Sequence, residues 1–132
     1  ITGRVKDIFK TSKGKYVAPS PIEMKLSANK NLEQICVVGD GIPQPIVLVV
    51  LSERGKQKGK EDLISSLEKT MEIVNPKLDS HEKLHNIVVV AEDWTIENKL
   101  LTPTMKIKRN AIEKIYKSSY VSWYEGERVF LI

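Results

Sequence analysis

A single cysteine, Cys36, stands in a chain of 132 residues. One thiol makes neither an internal disulfide nor a multi-cysteine zinc site. Its place inside the apolar run Ile35 to Val38 fits a buried thiol in a reducing compartment, with the cytoplasm as the expected location. Long hydrophobic stretches are missing too. The longest uninterrupted apolar run, Ile46 to Leu51, falls far short of the ~20 residues that a membrane-spanning helix needs. No basic region followed by an apolar segment opens the sequence, so no signal peptide is expected within it. Aromatic residues are sparse, at 6%. There is no Gly-x-Ser-x-Gly elbow, Walker loop or dinucleotide fingerprint, which removes the self-contained nucleophile and phosphate sites. A domain with this inventory is expected to act together with another part of a protein.

What is present is the material of one compact core. Hydrophobic residues make up 41% of the chain and charged residues 29%, too apolar and too mixed in sign for a disordered tail, a collagen or a coiled coil. The formal net charge of +4 conceals an uneven distribution. Residues 1–30 carry seven basic and two acidic side chains, residues 99–117 carry six and one, and the remainder carries eight and fourteen. Two basic segments are either solvated surface or the footprint of an anionic partner: a nucleotide, coenzyme phosphates, nucleic acid or a lipid headgroup.

The order of elements follows from pattern and punctuation. Asp7 to Lys10 and Lys15 to Val17 read as short strands joined by Thr11-Ser12-Lys13-Gly14, where glycine permits a sharp turn. Ser20-Pro21-Ile22-Glu23 has the form of a capping box, which predicts a helix from Pro21 to about Ala28. Gln34 to Gly39 and Pro45 to Ser52 are Val- and Ile-rich and form an expected hairpin of core strands. Arg54 to Lys60 reads as a polar loop. Leu63, Leu67, Met71 and Val74 then recur on one helical face that should stop before Asn75-Pro76. A short helical piece is expected over Ser80 to Leu84, a buried strand at Ile87 to Ala91, an irregular segment from Glu92 to Met105, and a last helix over Lys108 to Lys117 with Ile112 and Ile115 on one face. The fold class is α+β: a small domain with an N-terminal β-hairpin and a short sheet packed against about three helices.

Few residues suggest chemistry by themselves. His81 and His85 have a helical ligand spacing, but no third ligand is evident and the motif is not His-Glu-x-x-His, so they read as a surface pair and no metal site is expected. Glu92, Asp93 and Glu97 read as solvated carboxylates. Lys13-Gly14-Lys15 is a turn whose backbone N–H groups and flanking lysines suit a phosphate. Leu101-Thr102-Pro103-Thr104-Met105-Lys106-Ile107-Lys108-Arg109 places a rigid, basic element just before a helix. Cations are disfavoured at that end of the helix dipole, and the conflict points to a lysine tip presented to an anion.

Taken together, Gly3-Arg4-Val5-Lys6-Asp7-Ile8-Phe9-Lys10-Thr11-Ser12-Lys13-Gly14-Lys15-Tyr16-Val17-Ala18-Pro19-Ser20-Pro21-Ile22-Glu23 and the stretch Leu101 to Arg109 resemble the C-terminal domain of AMP-forming acyl-CoA synthetases, members of the adenylate-forming superfamily. The resemblance covers essentially the whole chain. The ending Thr-Pro-Thr-Met-Lys-Ile-Lys-Arg, in place of Ser-Gly-Lys-Ile, is similar to the long-chain fatty acid branch. In this family a carboxylate attacks the α-phosphate of ATP to give acyl-AMP and pyrophosphate, and the coenzyme A thiol then displaces AMP. The C-terminal domain acts as a rotating lid.

The resemblance implies roles for particular residues. Lys106 matches the lysine that enters the active site during adenylation, where a cationic donor joins two anions. Lys10 matches a lysine used in the thioester-forming state. Arg4 matches the arginine near the ribose and phosphate of AMP, and Lys6 the hinge, placed at about residues 4–7. Gly14 matches the glycine lining the pantetheine tunnel, with Lys13 and Lys15 as neighbouring coenzyme contacts; the turn is one residue longer than in several relatives. Lys108 and Arg109 are phosphate-field or packing residues. Residues 1–132 thus form one lid domain whose partner is its own large N-terminal adenylation domain, absent from this sequence, where ATP, fatty acid and most of the Mg²⁺ coordination would lie. The isolated chain is expected to fold without synthetase turnover. The whole enzyme is expected to be cytoplasmic, a location compatible with peripheral association at a membrane.

Two other classes compete with this reading. A nucleic-acid module using Lys6, Lys10, Lys13, Lys15, Lys106, Lys108 and Arg109 lacks aromatic residues interleaved with the basics, so no nucleic-acid partner is expected. A regulatory interaction domain controlled by acylation of Lys106 is compatible with the enzyme reading.

Overall fold

The computed structural model describes residues 8–131. Phe9–Lys10 (β1) and Tyr16–Val17 (β2) pair antiparallel as a separate two-stranded ribbon. Helix α1 (Pro19–Leu26) leads into Leu32–Val38 (β3) and Ile46–Leu51 (β4), the expected antiparallel hairpin. A one-turn helix α2 (Glu53–Lys56) and the long α3 (Lys60–Val74) connect to Ile87–Val89 (β5), which lies parallel to β4. After the segment 90–108 come α4 (Arg109–Tyr116), α5 (Tyr120–Tyr124) and Val129–Leu131 (β6), parallel to β5. The main sheet therefore has the order β3-β4-β5-β6 and is mixed.

The central strands are apolar without alternation because both faces of the sheet are covered. Val37, Val47, Val49, Ile87 and Val89 face one core, shared with Ile22 and Leu26 of α1 and with Leu63, Leu67, Met71 and Val74 of α3. Their neighbours Cys36, Val38, Leu48, Val50, Val88 and Val90 face a second core, filled by Trp94, Leu100, Leu101, Ile112, Tyr120 and Trp123. The result is three layers, α1 and α3, the sheet, then α4 and α5. Truncating a fully buried member such as Leu67 to alanine costs about 2–5 kcal/mol by lost burial and the cavity left behind.

Several local expectations are corrected. Helix α1 starts at Pro19 with Ala18 as its extended N-cap and no side-chain cap, so Ser20 lies inside the first turn. Glu23 is consequently not part of a capping box and points its carboxylate to β3 instead. The polar stretch Arg54 to Lys60 is not all loop, because the Ser52 hydroxyl accepts from the Gly55 N–H and caps α2. The helix predicted through Leu63 and Val74 does end as expected, passing at Asn75–Lys77 into a 3₁₀ turn where Pro76 breaks the α pattern. On α4, Ile112 is fully buried but Ile115 is 51% exposed. The short helix buries only the narrow stripe continued by Tyr116, leaving Ile115 on the solvent side.

Candidate functional site

The β1–β2 turn is built on Thr11. Its N–H donates to the Lys15 carbonyl at 2.9 Å, its carbonyl accepts from Gly14 N–H at 3.0 Å, and its hydroxyl accepts from Lys15 N–H at 3.3 Å. Gly14 has φ +81°, the left-handed region that favours glycine, while a Cβ there would meet only the Lys10 Cε at 3.9 Å. Conformation, rather than crowding inside this domain, requires the glycine. The ribbon is tied to the β3–β4 connection by Ser12 N–H to the Ile42 carbonyl at 3.0 Å and Gly41 N–H to the Lys10 carbonyl at 3.2 Å. Phe9 packs so closely on Gly39 that a Cβ at that position would lie 2.8 Å from its ring. Lys10, Lys13 and Lys15 all remain exposed. The Lys10 ammonium lies 5.8 Å from the centre of the Tyr16 ring, and Lys13 makes a long 3.4 Å contact with Gln44.

The second basic segment is more ordered than its lack of period suggests. The N–H groups of Leu100 and Leu101 both donate to the Thr95 carbonyl, and Leu101 bridges antiparallel to Ile107. Between them Thr102 N–H donates to the Lys106 carbonyl at 2.7 Å, Met105 N–H to the Thr102 carbonyl at 2.8 Å, and Lys106 N–H to the Thr102 hydroxyl at 3.1 Å. Met105 takes φ 67°, a left-handed conformation that costs a non-glycine residue about 1–2 kcal/mol. The strain sits immediately before Lys106, on the exposed tip of a turn closed at both ends. Among the described residues the Lys106 ammonium has no acidic partner. An unneutralised cation on a closed turn is suited to a ligand anion.

The two elements are rooted in opposite cores. Phe9 and Val17 of the ribbon belong to the α1–α3 side, whereas Leu100, Leu101 and Ile107 around the lysine turn belong to the α4–α5 side. No hydrogen bond or ion pair among the described residues joins the two turns. Arg109 resolves the choice left open for it. It is buried, 2.8 Å from Glu23, and also donates to the Val37 carbonyl and the Cys36 sulfur, so it packs the fold. Burial pushes the Cys36 thiol far up, although Arg109 beside it acts in the opposite direction.

Other sequence candidates separate in space. His85 stacks on Tyr124 with ring centroids 3.8 Å apart and its Nε2 is 2.9 Å from the Tyr124 carbonyl. His81 instead lies beside Asp79 and Glu82, where the Glu82 carboxylate accepts from the Asp79 N–H to close a turn. Asp93 pairs with Lys56 at 3.1 Å on the surface, and Glu92 and Glu97 are exposed. Arg4, Lys6 and the hinge at about residues 4–7 lie outside the described residues. The role of Arg109, and the polar partnership of Thr102 with Lys106, were not legible in the sequence; the Thr-Pro-Thr pattern was the only signal for the latter.

Comparison with known proteins places this architecture. Long-chain-fatty-acid–CoA ligase 5 of Mus musculus is 32% identical over 96% of the chain, which corresponds to 21% of that enzyme. Long-chain-fatty-acid–CoA ligase FadD15 of Mycobacterium tuberculosis is 30% identical over 96% of the chain and 24% of its own length. The chain thus spans less than a quarter of these curated relatives. Among solved structures, the A domain of a carboxylic acid reductase from Segniliparus rugosus, in complex with AMP and a carboxylic acid, superposes with a TM-score of 0.72 at 25% identity over 93% of this chain and 20% of that one. The adenylation domain of the carboxylate reductase from Mycobacterium chelonae shares the fold with a TM-score of 0.74 at 22% identity, over 95% of this chain and 20% of its own. Residues 6–128 match the AMP-binding enzyme C-terminal domain, and the chain belongs to that family.

Proposed function

We propose that this chain is the mobile C-terminal domain of a long-chain fatty acid–CoA ligase, which converts ATP, fatty acid and coenzyme A to acyl-CoA, AMP and diphosphate. The observation that carries the reading is the rooting of the Gly14 turn and the Lys106 turn in opposite cores. A lid with two working faces presents one at a time by rotation. In the adenylation state Lys106 meets the fatty acid carboxylate and the α-phosphate, lowering the repulsion between two anions as they approach. In the thioester state the Gly14 turn lines the coenzyme A channel, with Lys10, Lys13 and Lys15 supplying positive charge. Arg4 contacts AMP and Lys6 absorbs the torsion of rotation. ATP and Mg²⁺ are held mainly by a large N-terminal domain, the partner of this one, in a cytoplasmic enzyme.

The test is to assay acyl-adenylate and thioester formation separately in the full-length parent enzyme. Lys106→Ala is expected to lower adenylation by about 10²–10³ and to spare thioester formation from supplied acyl-AMP. Gly14→Leu is expected to do the reverse. Wild-type rates in both steps for both variants overturn the assignment. The isolated chain, given ATP, Mg²⁺ and palmitate, is expected to release no pyrophosphate; turnover by it contradicts the need for a partner domain.

A further inference from the structure

A second cationic feature lies away from both motif turns. The turn 27–31 after α1, helix α2 and the outer face of α3 line an open cavity of about 420 Å³, within the range of small-ligand sites. Lys25, Lys30, Arg54, Lys58 and Lys69 line it, and no aspartate or glutamate does. None of the five is in an ion pair among the described residues. Gathering cations from three separate stretches of chain around one hollow costs self-repulsion, which an anion in the hollow relieves. The cavity lies at the Leu32 end of β3, whereas the β1–β2 ribbon bonds to the turn 39–42 beyond its other end. At ~3.3 Å per residue the strand sets them about 20 Å apart.

The wall of the cavity carries a hydrogen-bond network, in which the buried Asn31 Oδ1 has no partner among the described residues. The Asn29 side-chain amide donates to the Ser66 hydroxyl at 3.2 Å and to the Thr70 hydroxyl at 2.8 Å, and the Asn31 amide donates to Ser66 at 3.0 Å. Ser66 therefore accepts two N–H bonds, which uses both of its lone pairs. Its own proton has no acceptor among the described residues, so the hydroxyl is left with donor capacity only. Thr70 in turn donates to the Ser66 carbonyl at 3.0 Å, which fixes the helix side of the network. A hydroxyl with a free proton, in a lining that holds five cations and no carboxylate, matches the acceptor-only oxygens of a phosphate.

We propose that this cavity binds a phosphate group, carried either by a soluble phosphorylated compound or by a phospholipid headgroup. Ile73, 53% exposed on the cavity wall, supplies an apolar contact that either carrier can use. The experiment is a titration of the 132-residue chain with inorganic pyrophosphate at constant ionic strength, read by amide NMR shifts. Saturable shifts are expected at Asn29, Asn31, Ser66 and Thr70. The double variant Lys58→Glu/Lys69→Glu should weaken binding about tenfold or more, while Lys114→Glu, the same kind of charge reversal on an exposed residue of α4, should leave it unchanged. Flotation with phosphatidylcholine vesicles, with and without phosphatidic acid, separates the carriers. Binding only to acidic vesicles, lost in the double variant, identifies a headgroup; pyrophosphate binding without vesicle binding identifies a soluble ligand. Shifts that never saturate, that centre on the 102–108 turn, or that Lys114→Glu weakens equally, overturn the proposal.

Discussion

Arg109 and Glu23, 86 residues apart in sequence, meet at 2.8 Å across the open edge of β3 and between them satisfy both outward main-chain groups of Val37. The Glu23 carboxylate accepts from the Val37 N–H at 2.8 Å, and the Arg109 guanidinium donates to the Val37 carbonyl at 2.9 Å. One ion pair thereby joins helices from the two outer layers and blocks an edge that would otherwise pair with another strand. It also holds the first residue of α4, three positions after Lys106.

Removing either half of this clamp leaves a buried charge and an unmet main-chain group. Arg109→Ala is expected to destabilise the chain by about 3–5 kcal/mol, measured by urea unfolding. Glu23→Gln should cost less, because its amide oxygen still accepts from Val37. A loss below about 1 kcal/mol for Arg109→Ala, the range of an exposed pair, would show that the clamp contributes nothing beyond surface charge.

The turn that presents Lys106 should be sensitive to the residue just before it. Met105→Val puts a β-branched side chain at φ 67°, where steric conflict is greatest. In the full-length enzyme adenylation should fall with Lys106 still in place, and added glycine flexibility in Met105→Gly should recover less order but more activity than valine. Equal adenylation in the valine variant and the wild type would show that turn geometry does not limit the step.

Glu113 on α4 carries a raised carboxyl pKa, chiefly because burial disfavours its charge and secondarily because Asp40 repels it, against the pull of Lys117 and Arg109. The sign follows from linkage: a pKa raised in the folded state contributes stability below the unfolded value, near 4.5, that is lost as pH rises through the folded one. Glu113→Gln should therefore stabilise the protein at neutral pH and make little difference below pH 4.5. Melting temperatures across that window check it, and a destabilised variant at pH 7 would contradict the burial argument.

Cys36 should be silent in the folded state. Its side chain is fully buried and burial opposes thiolate formation. Maleimide labelling is expected to be negligible for the native chain and complete in denaturant; rapid native labelling would mean that α4 opens from β3 far more readily than the clamp allows.

Strand positions, the α3 stripe and the two basic motifs were legible because they depend on local order. Apolar runs without alternation belong to strands covered on both faces, and Val47 to Val50 are such a run. The helix start at Pro19 was misread, since Glu23 has a more favourable partner in Arg109 than in its own N-cap. Ile115 was misread because spacing alone does not say how wide a stripe a short helix buries.

By itself the sequence determined the α+β class, the places of the two basic turns in the chain, and membership in the family. Only the tertiary structure decided that the turns root in opposite cores, that Arg109 is a clamp, and that Lys25, Lys30, Arg54, Lys58 and Lys69 surround one cavity. The reason is distance along the chain. Propensity, turn chemistry and periodicity act over a few residues, whereas a salt bridge spanning 86 positions or a cavity gathered from three stretches of chain exists only once the layers have packed.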